Sequence, residues 1–470
     1  MSKKNIALFL GSAAVLAICA FNFLPDGYNL SKLASQSDPE TEVTLEFWGL
    51  WDSSDSWQTV IKRFEQETHH WNGQDVRVKI NYTKKDIASY QAELEKSYAE
   101  NKSPSVFMIS NYWLEKYSSK LEPLTGNKAY TEEYNLLDYE EADKIFPLNI
   151  LQDAYLENNT MYAMPVYSDS LALYYNKDLF QKAGIENPPA TWDELKADVR
   201  KLTVLERNGN ISQCGIALGG GKSINRSSDI LSLLTLQGGG KMVDNEKNVD
   251  FNKKISVKTP SGTVEREPGM TAIQFYMEFS DPDKQIYSWN ESFENSVKDF
   301  AEGKVAMMLG YSYQQANLLA LKPELNYGIA PAPQIPKSTP VNISNVWFPV
   351  ISNQSTCTVK GNGKNIDCGK IAWSFLSFAN KKENIAAYLD STGKAAARID
   401  IIKEQMESDK PVNAFAKQAA ITRSYNKFDD SIDAILVEML DKIYKDRNNW
   451  RSHADAAAAQ IEELKNNENQ

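Results

Sequence analysis

The chain has 470 residues, with 51 Lys and Arg against 62 Asp and Glu, a formal charge of −11. Displacing counterions from a nucleic acid takes clustered cations, and no stretch here concentrates Lys and Arg without interleaved acids, which disfavours a nucleic-acid binder. Hydrophobic residues at 42% and charged ones at 24% exclude wholesale disorder and a multi-span membrane protein; three His and four Cys, none at CxxC or HExxH spacing, weigh against metal or Ser-His-Asp chemistry.

Lys3 and Lys4 precede an uncharged run at 5–24 that Pro25 and Asp26 end. The run approaches the roughly 20 residues of a spanning helix, and no A-x-A site follows. This predicts an uncleaved anchor that holds the protein on the extracytoplasmic face of the membrane. Lipidation at Cys19 is the second reading, because Ile18 stands where a lipoprotein box has a small residue. Residues 27–42 read as a polar tether. Cys357 and Cys368 bracket a Gly- and Asn-rich turn between strand-like pieces, so a hairpin would bring them within bridging distance in an oxidising compartment. Cys214 is left over as a small buried residue.

From Val43 the pattern repeats. Val43, Leu45 and Phe47 alternate with polar residues, then Trp57, Val60, Ile61 and Phe64 fall at helical spacing. Val76, Val78, Ile80 and Tyr82 alternate again, Ile87, Tyr90, Leu94 and Tyr98 follow at helical spacing, and 106–109 is a short apolar run. The unit reads βαβαβ, which predicts a parallel sheet with right-handed crossovers. Ligands of such sheets bind beyond the carboxyl ends of the strands, which puts the loops 49–55 and 110–113 on one rim. A second α/β stretch begins near Met161. It carries two extended pieces, a short helix at 178–183 stopped by Gly184, and a Thr191–Glu194 capping box opening a helix with Leu195, Val199 and Leu202 on one face. It continues with the strand-like CGIAL, a polar loop at 244–267, a helix at 291–302 and the strand VAMMLG. Ile432, Ile435, Leu436, Met439, Leu440, Ile443 and Tyr444 form one helical face, with Asp429 or Asp430 as the N-cap.

Taken in order, VTLEFWGLWD, PSVFMISNYW, AMPVYSDSLALYYNKDLFQKAGIENPPATWDEL, FAEGKVAMMLGYSY, NYGIAPAPQ and AAAAQIEEL resemble segments of the maltose-type solute-binding proteins of ABC importers, the family-one extracellular solute-binding proteins. Ser105 replaces the Asp of the family's P-D-V-F segment. The resemblance covers about 43–464. It implies an α/β protein of type II periplasmic-binding architecture, in which each of two lobes is a mostly parallel sheet flanked by helices and the hinge is crossed three times. It places lobe 1 at 43–166 and 346–406 and lobe 2 at 167–345 and 407–470, while the apolar run assigns 1–42 to a membrane anchor or signal with its polar tether.

Carbohydrate recognition takes aromatic faces for sugar C–H surfaces and carboxylate, amide or Arg groups for hydroxyls. The rim loops offer Trp48, Trp51, Asp52, Asp55, Asn111 and Trp113. For Trp48 the alternative is packing under a crossover helix, and for Asp52 it is capping the helix that begins near Ser56. Gly220 would let a ligand approach the backbone, while no GxGxxG or GxxxxGK[ST] motif makes this a phosphate loop. By the resemblance, Tyr167 and Ser168 lie at the first crossing and Trp347 at the second, and Trp289, Tyr311, Arg423 and Tyr425 complete the wall. The expected function is a non-enzymatic, monomeric binder that takes up a carbohydrate without any cofactor and passes it to an ABC permease. A sensor or scavenger of the same fold is the alternative, as is a polyamine, peptide or glycerophosphodiester ligand. A glycosidase needs two carboxyls across a cleft, and Asp52 and Asp55 share one loop.

Overall fold

The structure is a computed structural model that describes residues 41–124, 128–137, 139–156, 160–259, 262–361, 363, 365–424 and 430–468. The expected anchor at 5–24, Cys19 and Tyr425 lie outside the described residues. Among those described, no helix is long and apolar enough to cross a membrane.

Two hydrophobic cores form. One gathers buried side chains from Val43 to Tyr167 and from Val346 to Ile402, together with Ala419. The other gathers them from Leu171 to Ile343, adds Ala395, and resumes from Val412 to Ile461.

The first core lies on a six-stranded sheet. Strand Thr41–Gly49 pairs in parallel with Gln74–Lys84, Val43 opposite Val78 and Leu45 opposite Ile80, and in parallel with Val106–Ser110. Its buried residues alternate, as the pleat demands. Helix Ser54–Glu65 buries Trp57, Val60, Ile61 and Phe64, and helix Ile87–Ala99 buries Tyr90, Leu94 and Tyr98, so the two crossovers fall where the periodicity predicts. Each fully buried side chain of this size contributes about 1.5–3 kcal/mol. A further strand, His69–Trp71, pairs antiparallel with Gln74–Lys84 across an Asn72-Gly73 turn with both residues at positive φ. Strands Trp347–Ile351 and Thr358–Lys360 return from far along the chain and pair antiparallel with Val106–Ser110 and Thr41–Gly49.

Cys357 and Cys368 are joined by a disulfide, with Cα atoms 5.7 Å apart. They do not sit on a hairpin. Cys357 precedes strand Thr358–Lys360, and Cys368 opens helix Cys368–Ala379, whose N-cap Asp367 accepts from Lys370 N. Cys214 is buried and free.

The second core departs from the expected parallel sheet. Strand Ala172–Asn176 lies between Met307–Gly310 and Tyr327–Pro331, antiparallel to both. Isolated parallel bridges there join Cys214 to Val305 and Thr191 to Gln334. The βαβ rule ties a strand to the next one through a single crossover helix. Ala172–Asn176 enters instead from the other lobe and pairs with strands more than a hundred residues on, so periodicity carried no information about direction. The capping box forms as read: Thr191 Oγ1 accepts from Glu194 N, and Glu194 Oε2 accepts from Thr191 N. The loop at 244–267 contains a hairpin, Ile255–Thr259 with Gly262–Arg266. The helix expected at 291–302 is shortened to Ser296–Ala301, because Asn295 accepts from Val297 N and Lys298 N and starts it there.

Three neighbouring segments link the cores. Tyr167–Ser168 pairs antiparallel with Ala395–Ala396, Ser170 bridges Ser344, and Asn342–Ile343 pairs in parallel with Thr422–Arg423.

Candidate functional site between the lobes

The carboxyl ends of the parallel strands in the first sheet define a rim. On the first lobe the chain leaves Thr41–Gly49 into Trp51 and Asp52, and leaves Val106–Ser110 into Asn111, Tyr112 and Trp113. Trp347 sits opposite Ser110 at the same rim. The rings of Trp51, Trp347 and Trp113 form a row of edge-to-face contacts, with centroids 5.4 Å and 4.9 Å apart. Trp51 is 47% exposed and Trp347 half-buried, so this row presents an apolar face. Trp113 is buried, and its Nε1 donates to Asp430 Oδ2 at 2.9 Å. Asp430 also accepts from Gln91. It stands at the N-cap of Ser431–Lys445, yet its side chain makes no cap bond there. The carboxylate reaches across to the first lobe instead.

On the second lobe, 219–226 follows the segment beside Met307–Gly310, and Tyr311 follows that strand itself. Arg226 Nε donates to Asp229 Oδ2 at 2.6 Å, and Tyr311 Oη donates to the same oxygen at 2.9 Å. Tyr313, 43% exposed, stacks near Tyr311 and donates to Asn225. Tyr112 of the first lobe packs against both cores, and its hydroxyl donates to Ser344 O at 2.6 Å. Burial raises the pKa of that hydroxyl well above its usual range, and the charges of Asp229, Asp433 and Asp153 add to the rise.

The hinge is polar and dry. Asp169 accepts from Ser312 N at 3.1 Å, from Ser312 Oγ at 2.8 Å and from Ser170 N at 2.9 Å. Asp153 accepts from Ser344 Oγ at 3.0 Å. Burial pushes each carboxyl up to about 6 against the pull of these donors. Asn111 Nδ2 donates to Ser424 Oγ.

Several nominated residues serve the scaffold. Asp52 neither caps the helix nor points free: Oδ1 accepts from Lys394 Nζ at 2.7 Å and Oδ2 from Tyr388 Oη at 2.7 Å. Ser53 holds the N-cap position. Lys394 Nζ lies 4.1 Å from the Tyr167 ring centre, and Tyr167 Oη accepts from Trp347 N. Ser168 is buried in its pairing with Ala395. The face of Trp48 is covered by Lys85 Nζ at 3.8 Å. Asp55 is exposed in the first turn of its helix, where the macrodipole favours it. Arg423 is exposed and donates to Thr422 O.

Gly220 and Trp289 do not join this wall. Trp289 is 1% exposed, stacked on Phe293, with Nε1 donating to Ser223 Oγ at 3.1 Å. Gly220 O accepts from Tyr276 Oη at 2.7 Å. Both line a separate recess of about 390 Å³ with Asp441 and Tyr444. Asp441 is three helical turns beyond Asp430, about 16 Å from the end that touches the first lobe. The site residues missed by sequence reasoning are Tyr112, Arg226, Asp229 and Lys394. Tyr112 lies within the nominated loop SNYW, and Arg226 lies five residues past the glycine run.

The sequence profile for bacterial extracellular solute-binding proteins matches residues 51–386. A putative binding protein of Brucella abortus strain 2308 is 30% identical over 268 residues, 56% of this chain and 56% of that protein, so the chain spans about half the length of that relative. Among solved structures, the sugar-binding protein MalE of Xanthomonas citri superposes with a TM-score of 0.68 at 17% identity, covering 90% of this chain and 97% of that one. UgpB of Mycobacterium tuberculosis, solved with glycerophosphocholine, gives 0.67 at 17% identity, covering 91% and 99%. At these identities the likeness is one of fold: two lobes around a cleft. The profile match and the two-core architecture lead to one conclusion, that the chain belongs to the bacterial extracellular solute-binding protein family.

Proposed function

We propose that the protein captures a carbohydrate between its lobes and delivers it to an ABC importer permease, without chemical change to the ligand. The observation that carries this reading is the Trp51–Trp347–Trp113 row, an apolar face at the rim of the first sheet, while the second lobe supplies the polar Arg226, Asp229 and Tyr313. Sugars have the same two-sided character. Ligand held by both lobes stabilises the closed lobe arrangement by its differential affinity, and the permease reads that closure. The first lobe is 43–166 and 346–406, and the second is 167–345 and 407–470. The apolar run 5–24 anchors the monomer on the extracytoplasmic face, where tethering replaces diffusion by effective concentration. Asp52 has both carboxylate oxygens engaged, by Lys394 and by Tyr388, which disfavours it as a glycosidase acid or nucleophile.

A thermal-shift screen against mono- and oligosaccharides, polyamines, peptides and glycerophosphodiesters tests the reading, with product analysis of every hit. A ligand at 100 times its Kd adds about 2.7 kcal/mol. A saccharide that stabilises the protein and is recovered intact supports the proposal; a cleaved product, or stabilisation by another class alone, refutes it.

A further inference from the structure

The rings of the tryptophan row are not equally accessible. Trp51 at one end is 47% exposed and Trp347 in the middle is half-buried, whereas Trp113 at the other end is 6% exposed. Trp51 is held from its own lobe: its ring meets Trp347, and its carbonyl accepts from Lys84 Nζ at 3.2 Å. Trp113 is enclosed. Its ring lies against Tyr90 and Tyr117, with centroids 6.4 Å and 6.0 Å away, and against Trp347. Its indole N–H donates across to Asp430 of the second lobe, which also accepts from Gln91 at 3.1 Å. A second tie joins the lobes at the same end. Glu115, in helix Leu114–Tyr117 directly after Trp113, pairs with Lys247 of the second lobe at 3.2 Å. Glu115 is 71% exposed, and such a pair contributes little energy, so its significance is one of position. Lys247 stands in a turn at φ 63°, where Asp244 Oδ1 accepts from Glu246 N at 2.9 Å and from Asn248 N at 2.8 Å. Val249 N donates to Glu462 Oε1 of the last helix, Trp450–Glu468, at 2.8 Å. The turn is thus fixed on the second lobe and stands against the helix that follows Trp113.

Resting on the carbohydrate reading above, we infer that the ligand groove is open at Trp51 and shut at Trp113, so that the site takes the terminal unit of a linear saccharide and the rest of the chain leaves past Trp51. Sugar rings stack on accessible aromatic faces, and within the row Trp51 and Trp347 offer them. A sugar ring pushed beyond Trp347 has to displace the Trp113–Asp430 bond, which leaves the indole N–H of a buried ring without its acceptor. Such a stop selects by exclusion. It penalises a ligand that has no end to offer, such as a cyclic saccharide, and a chain gripped through an internal segment. Asp430 and Glu115 are both exposed, so the ties form a rim at this end, and substitution there opens it without emptying either core.

The test measures binding of maltotetraose, cellotetraose and mannotetraose to the full chain by titration calorimetry. Each is used free, capped by an aryl group at the reducing terminus, or capped by a benzylidene acetal at the non-reducing terminus, and cyclomaltohexaose serves as a ligand without ends. The wild type tolerates one cap and loses about tenfold or more in affinity with the other. In D430A/K247A, which removes both ties, the penalty of the harmful cap falls about threefold or more; a general weakening of lobe closure lowers the affinity of capped and free ligand alike and leaves that ratio unchanged. Loss of affinity with both caps, loss with neither, binding of cyclomaltohexaose, or an unchanged penalty in D430A/K247A overturns the inference and leaves the carbohydrate reading intact. A wild type that binds no form of these saccharides also overturns the inference, and one that is stabilised by no saccharide in the thermal-shift screen overturns the reading beneath it.

Discussion

Replacing Lys394 by Met removes the cation from a pair in which both partners are nearly out of water, the side chains of Lys394 and Asp52 being 10% and 11% exposed. Met keeps most of the aliphatic volume over the Tyr167 ring, so the change isolates the charge. Asp52 retains the Tyr388 hydroxyl as a donor but loses the Lys394 ammonium at 2.7 Å. Breaking a buried pair from one side costs about 3–5 kcal/mol, because the remaining charge is stranded. For a lobe of this size that is about 10 °C in melting temperature. D52N strands Lys394 and costs a similar amount, whereas D52N/K394M removes both charges. The double variant therefore recovers roughly 2 kcal/mol or more relative to the sum of the singles. Urea unfolding followed by tryptophan fluorescence at neutral pH measures all four proteins. A K394M loss below about 1 kcal/mol, or strict additivity, would show that water reaches the pair and that the hinge is not the dry environment described here.

Replacing Cys357 and Cys368 by Ser opens a crosslink of sequence separation 11 and lowers the stability of the first lobe by about 2–4 kcal/mol, read by calorimetry. Asp169 is held at about 6, above its ordinary 3.8, so its stabilisation is present below about pH 4 and is lost as the pH rises through 6. Between pH 4 and 7 the wild type accordingly loses roughly 2 kcal/mol relative to D169N, and an equal gap at both pH values would refute this. W51A removes an exposed ring and leaves stability within about 0.5 kcal/mol. It weakens binding of any saccharide found in the screen by about 3–10-fold, measured by titration calorimetry.

Legibility in the sequence followed the range of the interaction. Strand Thr41–Gly49, its crossover helices and the Thr191–Glu194 box depend on neighbours within a few residues, and their period or spacing predicts them. The hairpin at Trp71–Gln74 carried an equally local sign, the Asn72-Gly73 pair whose positive φ a tight hairpin turn requires, and it was missed. The directions of the second-lobe strands, the Asp52–Lys394 pair and the Trp113–Asp430 bond join residues hundreds of positions apart, and no local pattern records them. Asp430 illustrates the difference. A helix start nominates any preceding Asp as a cap, but the indole N–H of Trp113 captured this carboxylate. Trp289 looks like a cleft aromatic by composition, and only packing against Phe293 and Ser223 reveals it as core.

The late return of Trp347–Ile351 to the first sheet has a consequence for biosynthesis. Val106–Ser110 is buried along its whole length, and one of its two edges is closed only by a segment that begins 235 residues after Asn111. Throughout synthesis of residues 167–345, the nascent first lobe therefore exposes an apolar strand edge, the kind of surface on which chains aggregate. The first lobe cannot finish folding as an amino-terminal unit. The order of translation keeps the first lobe unfinished until the long central segment of the second has been made, a state compatible with crossing a membrane before folding.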